Sequence, residues 1–211
     1  MRKIRYVIII IILSFSGLKA SYAQKNRSIE EQFQLFKDLG FQLNNGTVKT
    51  DLELSGSDDF LVYPYSHMYT VLARRVDRKP WIPLTNCCWE FQFGNMDEQG
   101  DYVKIIQNLE RITQGKLAFK NVKDNFDEDK DTCWVSFNYN GIDYKFDLKI
   151  EGRYADFELF TKIVELTQKS NITSRYTIFE TNDESVVFGF ETPDNLKQIK
   201  KKTGLKINWL K

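Results

Sequence analysis

TCWVSFNYNGIDYKFDL, residues 132–148, decides the fold. Cys133, Val135, Phe137 and Tyr139 fall on one side of an alternating run, and the run ends at Asn140-Gly141. That pair suits a two-residue type I′ turn, in which both central residues take positive φ. Ile142 through Leu148 must then return beside Thr132 to Tyr139 as the second arm of a tight antiparallel hairpin. A second hairpin is read from Arg175 to Glu180 and Ser185 to Phe190, and Leu117 to Val122 and Cys87 to Phe93 are further strands. In the latter, Trp89, Phe91 and Phe93 share a face opposite Cys88, Glu90 and Gln92.

Helical spacing fills the intervals. Ser28-Ile29-Glu30-Glu31 is a capping box with Gly40 as the stop, and Phe33, Leu35, Phe36 and Leu39 supply the apolar stripe. The most periodic stretch runs from Asp101 to Thr113, where Tyr102, Ile105, Ile106, Leu109 and Ile112 recur at helical intervals. A third helix, Ala155 to Gln168, is expected to bury Phe157, Phe160 and Val164. A fourth opens at Thr192-Pro193 and closes at Gly204, with Leu205 to Leu210 as a last strand. Thr47 to Asp59 reads as a short helix and a loop, and His67 to Ala73 as a strand covered on both faces. Hairpins separated by single helices imply an α+β fold: one domain over residues 24–211, mainly an antiparallel sheet with three to four helices mostly on one face.

Arg2, Lys3 and Arg5 precede an apolar run from Val7 to Phe15, and Ser21-Tyr22-Ala23 sets small residues at −3 and −1. Residues 1–23 are therefore read as a cleaved signal peptide, against the alternative of an uncleaved anchor. The expected location is exported, periplasmic or secreted, with no membrane attachment after cleavage. Asn26, Asn45 and Asn171 open Asn-x-Ser/Thr triplets, which matter only in a glycosylating pathway. With 30 Lys and Arg against 29 Asp and Glu, no domain-wide positive field exists to hold nucleic acid. Lys197 to Lys202 with Lys206 is read as a solvated helix end favoured by the macrodipole.

Three cysteines and one histidine restrict the chemistry. A zinc site needs about four converging ligands, and a vicinal Cys87-Cys88 pair with a distant Cys133 does not supply them. Cysteine nucleophiles need a base, and His67 stands among Tyr65, Met68 and Tyr69, where a structural role is expected. No cofactor, metal or catalytic residue is assigned. In an oxidising compartment the remaining question is a disulfide. Strand parity places Cys87 with Trp89 and Phe91, and Cys133 with Val135 and Phe137. A bridge between them and three buried, reduced thiols both stay open.

Asp127, Glu128, Asp129 and Asp131 begin like a calcium loop, but Thr132 stands where glycine is required and Asn138 where a bidentate glutamate is required. A hairpin tip is the reading. Asp97, Glu98 and Asp101 precede the most periodic helix, where negative charge favours its N-terminus. These seven acidic residues are the candidate surface for a basic partner.

The pattern Glu98-x-Gly100-Asp101-Tyr102-x-x-Ile105, Leu109-x-x-Ile112-Thr113-x-Gly115-x-Leu117, Asn121-Val122-x-Asp124, Trp134-Val135-Ser136-Phe137 and Asn140-Gly141 resembles small bacterial α+β proteins of polymorphic-toxin loci. Phe41 to Asp51 and the Tyr154 to Leu166 helix extend the likeness. The resemblance implies an immunity-type protein that masks a toxin-like partner and carries no catalytic residues. Combined with the export segment, it implies protection outside the cytoplasm. Two other readings stay beside it: an exported module binding a glycan or small ligand on Trp81, Trp89 or Trp134, and a carboxylate-dependent hydrolase.

Overall fold

The computed structural model describes residues 27–53, 59–94, 96, 98–181 and 185–211. Residues 1–23, read from the sequence as a signal peptide with its cleavage motif, Asn26 and Asp97 lie outside them. In chain order the elements are α1 (Ile29–Asp38), α2 (Thr50–Glu53), α3 (Asp59–Val62), α4 (Ser66–Ala73), β1 (Cys88–Gln92), α5 (Asp101–Ile112), β2 (Phe119–Asp127), β3 (Thr132–Tyr139) and β4 (Ile142–Leu148). They continue with α6 (Glu158–Gln168), β5 (Arg175–Glu180), β6 (Ser185–Glu191), α7 (Pro193–Thr203) and β7 (Asn208–Trp209). Among the described residues no helix is long and apolar enough to cross a membrane.

The fold is α+β and its strand pairs are antiparallel. The opening hairpin has the expected register, from Cys133 opposite Leu148 to Tyr139 opposite Ile142, with Asn140 at φ 52 and Gly141 at φ 82. The strands divide between two sheets, β2-β3-β4 and β1-β6-β5-β7. Helices α5 and α6 touch strands of both.

The four-stranded sheet is covered on both faces. Val186, Phe188 and Phe190 of β6 enter one hydrophobic cluster with Ile105, Leu109, Phe160 and the inner face of β3. Val187 enters a second cluster with Phe36, Tyr69, Leu72, Leu196 and Ile199. Every residue of β6 is buried, so it reads as a near-continuous apolar run rather than an alternation. Its Gly189 lets the second layer approach: a Cβ there would stand 2.7 Å from Thr177 Oγ1 and 3.0 Å from Tyr69 OH.

The structure departs from the sequence reading in several places. Residues 66–73 are helix α4, not a strand. All six side chains from Met68 to Ala73 are buried, and a short apolar run buried all round carries no periodicity to separate helix from strand. The start of that helix is held from outside it: Gln32 Oε1 accepts from Tyr65 N at 3.0 Å while its Nε2 donates to Phe60 O at 2.9 Å. Helix α6 begins at Glu158, and Phe157 is 43% exposed rather than part of its buried stripe. Strand β2 runs on to Asp127, and the last strand shrinks to two residues. The short helix expected within Thr47–Asp59 is α2, and a further short helix not expected, α3, starts at the last residue of that range.

Candidate functional site

Helix α5 carries two stripes. Tyr102, Ile105, Ile106, Leu109 and Ile112 are buried in the core. Asp101, Lys104, Asn108 and Arg111, at i, i+3, i+7 and i+10, share the other side and line an open cleft of about 1050 Å³. β1 contributes Trp89 and Glu90 to the cleft. The opposite rim is the segment after α4, which doubles back on itself: Leu84 N donates to Arg74 O at 2.8 Å, and Val76 N to Ile82 O at 2.9 Å. Trp81 stands on that rim, 57% exposed, with the Lys79 ammonium 5.0 Å from its ring centre.

The arginines of the cleft are held by partners from other segments, and Lys104 by its own helix and the turn before it. Arg74 donates from Nε and Nη2 to the two oxygens of Glu90, at 2.7 and 2.8 Å, in the bidentate geometry that fixes a guanidinium plane. Arg78 makes the same fork on Asp51, at 3.1 and 2.9 Å, and those hydrogen bonds hold the Asp51 carboxyl below the usual carboxylate range. Lys104 donates to Asp101 at 2.9 Å and to Glu98 at 3.3 Å, which raises its pKa.

Arg111 differs from these cations. Its Nη1 donates to Thr85 O at 2.5 Å, its Nη2 to Cys88 O at 3.4 Å, and its Nε to Asn108 Oδ1 at 3.2 Å. Asn86 Oδ1, 3.5 Å from Nη1, is a fourth acceptor; all four are neutral, and no carboxylate engages it among the described residues. Burial lowers its pKa, because a desolvated cation is costly without an opposite charge.

Formal charge in the cleft balances, but accessible charge does not. The carboxylates of Asp51, Glu90 and Asp101 are 4%, 14% and 13% exposed, whereas Arg74 and Lys104 are 36% and 61% exposed. Arg75 adds an exposed cation and Asp77 an exposed carboxylate to the same rim. A ligand therefore meets cations first, with carboxylates behind them.

The acidic segments adjoin the N-terminal end of α5. Asp124 on β2, buried, accepts from Gly100 N at 2.9 Å, Tyr102 N at 3.0 Å and Val103 N at 3.2 Å, capping the helix across chains of sequence. Asp127 follows three residues along the same strand, about 10 Å on. Glu98 and Asp101 are thus brought to the end of the hairpin that carries Asp127, Glu128, Asp129 and Asp131. The tip is a turn in which Asp127 accepts from Lys130 N at 3.2 Å and Lys130 Nζ at 2.6 Å. Glu128, Asp129 and Asp131 are exposed and in no ion pair among the described residues.

The three cysteines are free and buried. Of the two readings left open, the structure has the buried, reduced thiols and not the Cys87–Cys133 bridge: Cys87 belongs to the second cluster and Cys133 to the first. β1 begins only at Cys88, and Cys87 N turns onto Thr85 Oγ1 at 3.2 Å, so strand parity does not reach Cys87. Burial raises all three thiols, Cys133 to about 11. The His67 ring lies edge-on against Phe60 at 4.4 Å. Trp89 packs on Phe91 and Phe188, and Trp134, on the outer face of β3, takes Lys145 over its ring at 4.8 Å. Elsewhere, burial pushes Glu191 up to about 7, opposed by a hydrogen bond from Asn195 and the charge of Lys116.

Sequence reasoning found Trp81 and Trp89 but not Arg74, Glu90 or Arg111. The signal available was the polar stripe of α5, repeating at three- and four-residue intervals beside the apolar one. No family model, curated protein or solved structure matches the chain.

Proposed function

We propose that this chain is a non-enzymatic binding protein of the immunity type, exported, which masks a toxin-like protein partner with the acidic end of the β2–β3 hairpin. One observation carries the reading: Asp124 on β2 caps the start of α5, which ties the segment of Glu98 and Asp101 to the strand that runs into the Asp127–Asp131 turn. Six described carboxylates stand on these two segments, and Lys104 and Lys130 engage three of them. Such a surface steers a basic partner and sets its orientation, since rim charges act on encounter more than on final affinity. The state of the reactive groups agrees with a binding role. The thiols are raised by burial, the histidine ring is packed, and Asp51, Glu90 and Asp101 are each committed to a cation.

The test is co-purification of tagged full-length protein from its native cell, beside a variant carrying Glu128→Lys, Asp129→Lys and Asp131→Lys. A partner retained by the parent and lost by the variant is expected. An unchanged partner profile removes this surface, and the absence of any partner removes the class.

A further inference from the structure

The cleft serves no purpose in the masking role just described, and its chemistry points elsewhere. Arg111 is the decisive group. A largely desolvated guanidinium whose acceptors are two main-chain carbonyls and two amide oxygens lacks the anion that would offset its burial. Around it, the Arg74–Glu90 fork offers donors beside acceptors at fixed positions, and Lys104 adds an exposed cation. Trp81 provides an exposed indole on the rim of the same hollow.

We infer that the cleft between α5, β1 and the segment 73–84 is a binding site for an acidic saccharide, whose carboxylate pairs with Arg111 and whose ring lies on Trp81. A pyranose presents an apolar face of C–H groups and a girdle of hydroxyls. The indole takes the first, as aromatic side chains with open faces do. The alternating guanidinium and carboxylate groups take the second, because each hydroxyl both donates and accepts. Accessible charge in the cleft is cationic, which selects a sugar bearing a carboxylate over a neutral one. The volume, at the upper end of small-ligand sites, suits an oligosaccharide rather than a single ring.

Calorimetry and tryptophan fluorescence on the full chain test this with tri-galacturonate, a glucuronate disaccharide and N-acetylmuramic acid. The methyl ester of tri-galacturonate and inorganic phosphate serve as controls. At least one acidic sugar should bind with a fluorescence change, and tri-galacturonate, if it is the binder, should bind at least tenfold more tightly than its ester. Trp81→Ala, a substitution at an exposed rim position, should weaken that binding at least fivefold. Arg111→Met should abolish it; if that variant fails to fold by circular dichroism, Trp81→Ala and the ester decide. Binding by none of the three acidic sugars overturns the inference. So does an ester or phosphate that binds as tightly as the acid, or an unaffected Trp81→Ala. Because Glu128, Asp129 and Asp131 lie outside the cleft, loss of the protein partner on reversing them leaves the sugar result unchanged.

Discussion

The acidic end and the cleft both border one helix, α5, and hold their charges in different ways. At the hairpin tip the carboxylates stand in water, and the Asp127–Lys130 pair is made between neighbours in sequence. In the cleft, Arg74 reaches Glu90 and Arg78 reaches Asp51 across 16 and 27 residues, onto carboxylates that are nearly covered. Exposed pairs contribute little to stability and leave their groups available for partners. Covered pairs fix side chains in one geometry, and breaking one leaves a charge without its counterpart. The tip is thus a surface of charge, and the cleft a surface of positions.

The largest effect should come from the single group that joins the two regions. Asp124→Ala strands three N–H donors at the start of α5 and should cost about 2 to 4 kcal/mol, lowering Tm by about 10 °C in thermal denaturation. A small shift would mean that the helix is capped otherwise and that the acidic segments are not tied together. Next comes the buried carboxylate. Glu191 has its folded pKa raised to about 7, so the folded state keeps a proton that the unfolded state releases from about pH 4.5. Stability should therefore fall as pH rises through that window and level off above 7, by up to about 3 kcal/mol. Glu191→Gln should flatten that part of the profile in denaturant titrations and exceed the parent above pH 7.

Within the cleft, Glu90→Ala should cost about 1 kcal/mol, a modest figure because Arg74 keeps some contact with water. At the tip, Asp127→Asn should leave Tm unchanged within the scatter of repeat scans. A tip variant that melts as early as the Glu90 variant would break the distinction between the two regions. An unmoved Glu90 variant beside an unmoved tip would show that the cleft pairs are held no more firmly than surface ones.

These differences also explain what could be read before the structure was in view. The β3–β4 hairpin, both ends of α5 and the Thr192–Gly204 helix were legible because local rules decide them: a turn pair, an apolar repeat, a cap with proline behind it. The acidic tip was legible for the same reason. Helix α4 was not, since its environment is apolar on every side and its start is set by Gln32, some 30 residues earlier. Cys87 was misplaced because parity was carried one residue beyond the strand. The division into two sheets followed from which strands pair after folding, and no stretch of β1 or β2 announces its sheet. The cleft was legible only in fragments. Trp81 and Trp89 stood out as aromatic, but an arginine gains meaning from the carboxylate or carbonyl it meets, and Arg111 meets residues from 85 to 88 across a helix–sheet contact.

One feature of the interior bears on how the molecule comes apart. β6 is the fully buried strand of a partition with oil on both sides, which it shares with β1 and β5. A flaw introduced at Val187 or Phe188 weakens the seal of one chamber and shifts the backbone that closes the other. Heat should accordingly empty both at once, as a single calorimetric peak, and a substitution in either chamber should drag the whole peak rather than split it.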